Sequence, residues 1–269
     1  MPTLDSLSLW QDEALSLLRR TAAAPAGYEG LRALELEFSS RGDRVAARVM
    51  LPDGPGPHPV VILQHGLGAS REAEYLAMGA RWVREGVAVA TIDLPLHGVR
   101  ASAKMSERLI ASASDLMAGR PLARVDGMLW SEFARQTTHD LRRCHDALEA
   151  TPETDAKRVV FVGFSLGAMA GTLYCANDPR PRAAVLALAG ATGAGVLDPA
   201  QWVGAIAPRP ILFVNATRDE TIPLAASERL FRSAGAAPRV EWFDAGHGDL
   251  PGAALKSIWH FVRTQLGIA

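Results

Sequence analysis

The sequence predicts an α/β fold, in which a mostly parallel sheet is covered by helices on both faces. Short, largely apolar runs recur from residue 60 onward, and stretches with helical spacing of apolar side chains separate them. Strands that are apolar throughout are buried on both faces, and helical connections make neighbouring strands parallel. The runs occupy residues 60–64, 87–92, 159–162, 183–189, 211–215 and 240–243.

A hairpin and five helices complete the predicted sheet and its cover. Apolar and polar residues alternate over 34–38 and 45–51, and the intervening Arg41-Gly42-Asp43 is typical of a hairpin turn. Two antiparallel strands followed by six more give eight strands. The predicted helices occupy residues 70–84, 131–150, 165–177, 224–233 and 252–266.

Residues 1–30 are predicted to form a helical extension. Leu7, Trp10, Ala14, Leu17 and Leu18 recur at helical spacing, which indicates an amphipathic helix on the surface of the domain. This stretch lacks the basic start and the continuous apolar core of a secretory signal.

Composition favours one globular domain, residues 1–269, located in the cytoplasm. The 28 basic and 29 acidic residues nearly cancel, and the arginines are spread along the chain. We therefore expect neither nucleic acid nor a membrane as a partner, and no apolar run is long enough to span a bilayer. Cys144 and Cys175 are expected to be reduced, packed thiols. A homodimer is left open.

The connection over residues 94–130 is too long for an ordinary link between strand and helix. Long connections at the carboxyl ends of strands often shape ligand sites. We therefore expect a cap-like insertion over the active site, with Met105, Leu109 and Met117 among the substrate contacts. The alternative is a surface excursion with its own small core.

The motif Gly163-Phe164-Ser165-Leu166-Gly167 stands between an apolar strand and a helical stretch. A nucleophile elbow needs this context, because the chain turns sharply there and only tiny side chains fit two residues before and after the serine. Ser165 is then the nucleophile, and the N–H of Leu166 at the helix start stabilises an oxyanion. The alternative is a glycine-rich turn whose serine caps the helix.

With this motif, the chain resembles the α/β-hydrolase superfamily, and within it the dienelactone-hydrolase-like and related esterase branch. The resemblance extends from about residue 34 to the C-terminus. It also rests on Gln64-His65-Gly66-Leu67-Gly68, Asp93-Leu94-Pro95-Leu96-His97-Gly98, Asp219 and Gly246-His247. It implies the α/β-hydrolase fold. Dienelactone hydrolases proper have Cys at the position of Ser165.

The resemblance also implies the remaining site residues. Asp219 follows a late strand as the triad acid, with Glu220 as its close rival and Asp198 as a more distant one. His247 follows the last strand as the base, so that Ser165, Asp219 and His247 occur in the family order. The N–H of Leu67 is the second oxyanion donor beside that of Leu166, and His65 is expected to orient that loop.

Other polar residues invite weaker interpretations. His139, Asp140, His145 and Asp146 suggest a metal site, but their spacing does not present two histidines on one helical face, and we expect no metal. Arg71 and Arg100 could each meet a substrate carboxylate, whereas a salt bridge within the domain is the favoured interpretation.

The expected function is carboxylesterase action on small or medium esters through a Ser-His-Asp triad and an acyl-enzyme, without a cofactor. The fold alone leaves thioesterase, amidase, peptidase and acyltransferase activities open. A non-catalytic binding protein with this fold is an alternative of another class. A dehalogenase is disfavoured because it needs a carboxylate in place of Ser165.

Overall fold

The computed structural model describes residues 14–193, 195, 198–235 and 238–268. Their strands form one nine-stranded sheet in the order β1-β2-β3-β5-β4-β6-β7-β8-β9. The strands are β1 (Leu17–Ala22), β2 (Arg32–Ser40), β3 (Asp43–Leu51), β4 (His58–Gln64), β5 (Ala88–Ile92), β6 (Thr154–Phe164), β7 (Ala183–Ala187), β8 (Ile211–Ala216) and β9 (Arg239–Phe243).

The sheet is antiparallel at its beginning and parallel over the rest. Strands β1, β2, β3 and β5 pair antiparallel in that order, whereas β4 to β9 are all parallel to one another. The turn between β2 and β3 places Arg41 and Gly42 at φ of 50° and 82°, as a two-residue hairpin loop requires. The predicted fold class and the predicted hairpin are confirmed.

The N-terminal prediction is wrong where the structure describes it. Leu17 and Leu18 belong to β1, which runs antiparallel to β2 from Leu17 opposite Phe38 to Ala22 opposite Ala33. Pairing with the edge of the sheet outweighs the helical spacing of the leucines. The sheet therefore has nine strands instead of eight, while Leu7 and Trp10 lie outside the described residues.

Six α-helices flank the sheet in the part of the chain that the structure describes. They are α1 (Gly79–Arg84), α2 (Ala103–Met117), α3 (Arg124–Glu149), α4 (Leu166–Asn177), α5 (Leu224–Arg232) and α6 (Gly252–Leu266). The helix predicted over 70–84 is instead a short 3-10 helix, Glu74–Met78, followed by α1. The other four predicted helices are present, and α3 begins seven residues earlier than expected. No helix in the described part of the chain is long and apolar enough to cross a membrane.

Alternate residues of the central strands supply two apolar layers, one on each face of the sheet. In β4, Val60 and Ile62 join the layer under α2, α3, α4 and α5, whereas Val61 and Leu63 join the layer under α1 and α6. Cys144 and Cys175 are free and buried in the first layer. Strands buried on both faces explain the continuous apolar runs of the sequence.

The strand order reverses at the centre of the sheet. From β4 the chain passes to β5 on one side and then returns to β6 on the other. The ends of β4 and β6 are level, because Gln64 is paired with Gly163. Loops that leave a sheet at such a switch point diverge and leave a crevice between them. The chain segments carrying His65 and Ser165 therefore emerge side by side.

Buried ionic groups fasten the hairpin β2–β3 to α3 and to the loop after β5. Arg100 is 2.7 Å from the Oδ2 atom of Asp140, which is completely buried, and 3.0 Å from Asp43. Asp140 also accepts hydrogen bonds from Ser40 and Gln136. Burial raises the pKa of Asp140, although Arg100, Ser40 and Gln136 favour its ionised form. Arg100 therefore has a structural role, in agreement with the prediction of a salt bridge within the domain.

Replacing Arg100 by leucine should lower the free energy of unfolding by about 3 kcal/mol, because it leaves the Asp140 carboxylate buried without its cation. Urea unfolding followed by circular dichroism measures the loss. Arg44→Leu is the matched control, since the Arg44 side chain that pairs with Glu37 is 76% exposed, and its loss should stay below about 0.5 kcal/mol. Equal losses in the two variants would contradict the assignment.

Candidate active site

Ser165 occupies a strained turn between β6 and α4. Its φ of 51° and ψ of −122° lie in a region that residues with a side chain rarely adopt. The Ser165 N–H donates to the carbonyl of Ala187 at 2.8 Å, and its carbonyl accepts from Met169. The backbone on both sides is thus tied to β7 and to α4, which holds the side chain at the carboxyl edge of the sheet.

Glycine is required on both sides of Ser165. A Cβ atom at Gly163 would lie 2.7 Å from the backbone of Ala168, and one at Gly167 would lie 2.3 Å from the carbonyl oxygen of His65. Real Cβ atoms do not approach backbone so closely. The sequence motif therefore reflects close packing of strand, helix and the loop after β4, as the elbow interpretation requires.

The structure brings the three expected triad residues together. The His247 Nε2 atom is 2.9 Å from the Ser165 Oγ atom, and the Nδ1 atom is 2.8 Å from the Asp219 Oδ2 atom. The other carboxylate oxygen of Asp219 accepts N–H groups of Thr221 and Ile222 at 2.9 and 2.7 Å. An unbroken hydrogen-bonded chain thus runs from a fixed carboxylate to the serine hydroxyl.

The environment of Asp219 keeps its carboxyl ionised. Burial opposes ionisation, but the hydrogen bond from His247 and those from the N–H groups of Ile222 and Thr221 outweigh it and hold the pKa of Asp219 below its ordinary value. An anionic Asp219 can only accept in its hydrogen bond with His247, so the proton of the imidazole lies on the Nδ1 atom. The Nε2 atom is then left as the acceptor for the Ser165 hydroxyl.

The two expected oxyanion donors lie beside Ser165. Leu166 is the first residue of α4, and the first N–H groups of a helix have no acceptor within it. Leu67 follows Gly66, at which a Cβ atom would be 3.3 Å from the Ser165 Cβ atom. Both residues therefore follow backbone that lies next to Ser165, and their role as oxyanion donors stays a prediction.

His65 fixes the loop that carries Leu67. It is completely buried, with its Nδ1 atom 2.8 Å from the Gly66 carbonyl oxygen and its Nε2 atom accepting the N–H of Leu94 at 3.1 Å. Only the neutral tautomer with the proton on Nδ1 makes both bonds. Burial lowers the pKa of His65 to about 4, helped by nearby His97. The two hydrogen bonds of the His65 ring are those expected of a residue that orients this loop.

The rival residues do not contact the triad histidine in the described part of the chain. Asp198 instead accepts N–H groups of Thr192 and Ala200 and caps a short 3-10 helix. The Glu220 carboxylate points toward Gly246, where a Cβ atom would be 3.2 Å from its oxygen. Asp219 is thus the acid that the geometry favours.

The remaining candidates have structural partners. Arg71 pairs with Glu35 at 2.6 Å and is 7% exposed. His139 bonds to Ser40, and His145 bonds to Tyr174 and to the carbonyl of Ala156. No cluster of three or more metal-ligating side chains forms among residues 14–193, 195, 198–235 and 238–268.

The segment 94–130 packs into the apolar layer that also contains Leu166. Leu109 has no exposed surface and Met117 is 7% exposed, whereas Met105 is 39% exposed. Leu109 and Met117 therefore pack in the core, and the prediction that they contact substrate is wrong. Of the three predicted contacts, Met105 alone has an exposed side chain. An open cleft of about 900 Å³ lies between residues 119–135 and Thr192-Gly193, but neither the triad nor Leu67 or Leu166 lines it.

Two residues of the site were missed from sequence. Asp93 is the first residue of the motif at 93–98, and its carboxylate accepts the N–H groups of Arg71 and Val99 and so links the loops after β4 and β5. Its place directly after a buried strand was an available signal. Tyr75 accepts the N–H of Gly66. Only the three-dimensional course of the 3-10 helix brings it there.

Replacing Gly167 by alanine should cost about 1–3 kcal/mol of unfolding free energy, because the new methyl group overlaps the His65 carbonyl and must push it away. Thermal and urea unfolding measure the cost. Gly127→Ala in α3 is the control: nothing lies within 4 Å of its Cβ position, so it should be neutral or stabilising by up to about 1 kcal/mol. A Gly167→Ala protein as stable as this control would overturn the packing argument.

Acid should destabilise the protein through His65. Its folded-state pKa of about 4 lies below the unfolded value of about 6.5, so the unfolded chain binds more protons between these pH values. The contribution is complete above pH 6.5 and falls by about 3 kcal/mol as the pH drops to 4. Urea unfolding at a series of pH values should show a shallower fall for His65→Gln. Parallel curves for the two proteins would contradict this.

Comparison with known proteins identifies the family of the chain. Residues 60–245 match the model of the alpha/beta hydrolase family. No curated protein matches the sequence. Three similar solved structures are a cold-adapted esterase from an Arctic intertidal metagenomic library, an acetyl xylan esterase from Paenibacillus sp. R4, and a dienelactone hydrolase-like protein from Klebsiella pneumoniae subsp. pneumoniae MGH 78578.

The structural likeness extends over nearly the whole chain. The TM-scores are 0.73, 0.76 and 0.64, with 19%, 17% and 18% identity. The alignments cover 94%, 97% and 94% of this chain and 99%, 92% and 100% of the other chains. Identities this low show a shared fold, whereas the family match spans more than half of the chain. The chain therefore belongs to the alpha/beta hydrolase family.

Proposed function

We propose that this protein is a serine hydrolase that cleaves carboxylic esters of small or medium size through an acyl-enzyme. The single observation that carries the proposal is the hydrogen-bonded chain Asp219–His247–Ser165, which ends on a hydroxyl held in a strained turn. A carboxylate, an imidazole and a hydroxyl in this order activate a serine as nucleophile. Two backbone N–H groups beside the hydroxyl supply an oxyanion hole.

In the first half of the reaction, Ser165 forms the acyl-enzyme. The His247 Nε2 atom takes the hydroxyl proton as the Oγ atom attacks the ester carbonyl carbon. The carbonyl oxygen becomes an oxyanion against the N–H groups of Leu67 and Leu166. The bond to the alkoxy oxygen then breaks, and the leaving alcohol takes the proton from His247.

In the second half, water releases the acid. The Nε2 atom of His247 removes a proton from the water, whose oxygen attacks the acyl carbon. The same two N–H groups hold the second oxyanion, and the Ser165 Oγ atom leaves with the proton from His247. Asp219 stays ionised throughout and stabilises the imidazolium that forms in each half. Each oxyanion donor contributes about 3 kcal/mol to lowering the barrier.

The choice of esters rests on three supports. The site has no carboxylate where Ser165 stands, which disfavours dehalogenation, and Arg71 and Arg100 are occupied by ion pairs within the domain. Leu67 and Leu96 are only partly buried against the apolar layer and offer an apolar wall for an acyl group. Two of the similar structures are named esterases, one of them for acetyl xylan. We place residues 94–130 over this site as a cap, with Met105 as its substrate contact.

Ser165→Ala should abolish hydrolysis of p-nitrophenyl esters, and Asp219→Asn should lower kcat by about 10⁴-fold, because the imidazole then loses its working tautomer. Rates across acyl chain lengths, and labelling by a fluorophosphonate, are the measurements. Ser233→Ala is the control, since its exposed hydroxyl bonds only to the carbonyl of Arg229. Folded wild-type protein that neither turns over esters nor takes the label would refute the proposal, and greater turnover of thioesters or amides would redirect it.

A further inference from the structure

Tyr75 stands at the edge of the candidate site, on the 3-10 helix Glu74–Met78. Its ring packs edge-on against Phe164, the residue before Ser165, with ring centroids 5.7 Å apart. The residue is 41% exposed. One side of the ring is thus fixed to the elbow, and the residue remains accessible from solvent.

The Tyr75 hydroxyl accepts one hydrogen bond and, among the described residues, donates none. Its oxygen accepts the N–H of Gly66 at 2.7 Å. A tyrosine hydroxyl also carries one proton to donate, and within the described part of the chain this proton has no acceptor. The hydroxyls of Tyr28 and Tyr174 differ, since Tyr28 donates to the carbonyl of Leu76 and Tyr174 pairs with His145.

The Tyr75 hydroxyl oxygen and the Ser165 Cβ atom border the same small space. The point where a Cβ atom of residue 66 would sit is 3.7 Å from the Tyr75 oxygen and 3.3 Å from the Ser165 Cβ atom. Because residue 66 is glycine, that space is empty of side chain. It adjoins Leu67, whose N–H is one of the two oxyanion donors of the proposed mechanism.

We propose that the Tyr75 hydroxyl is a third hydrogen-bond donor to the oxyanion formed on the substrate carbonyl. This rests on the proposed function of the site. No proton is transferred: the O–H hydrogen bond forms as charge develops on the oxygen and weakens when the carbonyl returns. Accepting the N–H of Gly66 polarises the hydroxyl and makes it a better donor.

The hydroxyl also stays protonated where the enzyme would work. Its burial raises the pKa of Tyr75, and the hydrogen bond from Gly66 offsets only part of that effect. A neutral donor suits the role because it imposes no charge on the substrate before attack. Its contribution appears only when the oxyanion forms, which is how a donor raises kcat without lowering KM.

Tyr75→Phe keeps the ring on Phe164 and removes only the hydroxyl. We expect kcat for p-nitrophenyl esters to fall about 100-fold, as for loss of a single oxyanion donor, with KM nearly unchanged and fluorophosphonate labelling slowed in parallel. Tyr174→Phe is the matched control, because its ring is also packed edge-on, against Phe161 at 5.8 Å, and its hydroxyl lies away from the site. That control should keep the wild-type kcat.

A ring-fluorinated tyrosine placed at position 75 separates donation from positioning. Fluorine lowers the pKa of the phenol, so the hydroxyl ionises at accessible pH and can no longer donate, although it still accepts the N–H of Gly66. The proposal requires kcat to fall as the pH rises through that ionisation, with no such fall in the wild-type protein. This variant keeps ring and oxygen, so it also serves if Tyr75→Phe folds poorly.

The outcomes are distinct. A Tyr75→Phe enzyme with kcat within twofold of wild type, or one with raised KM and unchanged kcat, would overturn the donor role while Ser165→Ala still abolished activity. Constant kcat of the fluorinated protein across its ionisation would do the same and leave Tyr75 as a positioning residue. Absence of both turnover and labelling in the wild-type protein would instead remove the proposed function.

Discussion

The site depends on one backbone turn, the left-handed conformation at Ser165 between β6 and α4. Such a residue costs about 1–3 kcal/mol and persists only when its surroundings leave it no other conformation. Here the hydrogen-bond ladder of the sheet continues beyond the strand ends: Ser165 donates to Ala187, and Leu188, also at positive φ, donates to Val214. Strain at the carboxyl edge is thus held by the parallel sheet beneath it.

The turn also explains why the neighbouring loops are so closely constrained. Gly167 lies against the carbonyl of His65, so the start of α4 and the loop after β4 pack too closely for any side chain between them. His65 accepts a hydrogen bond from the N–H of Leu94, and the carboxylate of Asp93 accepts one from the N–H of Arg71. The loops after β4 and β5 therefore support each other. Neutral His65 is part of this support, which makes the loop that carries Leu67 dependent on a buried, uncharged imidazole.

Much of this could be predicted from the sequence, and the limits have physical causes. Continuous apolar runs mark strands buried on both faces, and α4 and α6 follow from their spacing and flanking turns. β1 could not be predicted, since its leucines fit a helix and only pairing with β2 makes them a strand. Ser165, Asp219 and His247 were identifiable because each follows a strand at one edge. Tyr75 was not identifiable, because only the folded position of its 3-10 helix brings its hydroxyl within hydrogen-bond distance of the Gly66 N–H.

The location of the site follows from topology more than from the size of any cavity. The cleft beside residues 119–135 is large, yet none of Ser165, Asp219 and His247 lines it, and neither does Leu67 or Leu166. Where the loops after β4 and β6 diverge, the start of α4 and a glycine loop lie beside the Ser165 hydroxyl, and the loop after β9 brings His247 to it. Because Leu166 and the buried face of α2 share one apolar layer, substitutions in that face of α2 would reach the start of α4 through packing. The packing of residues 94–130 and the position of the residue after Ser165 are therefore coupled in this chain.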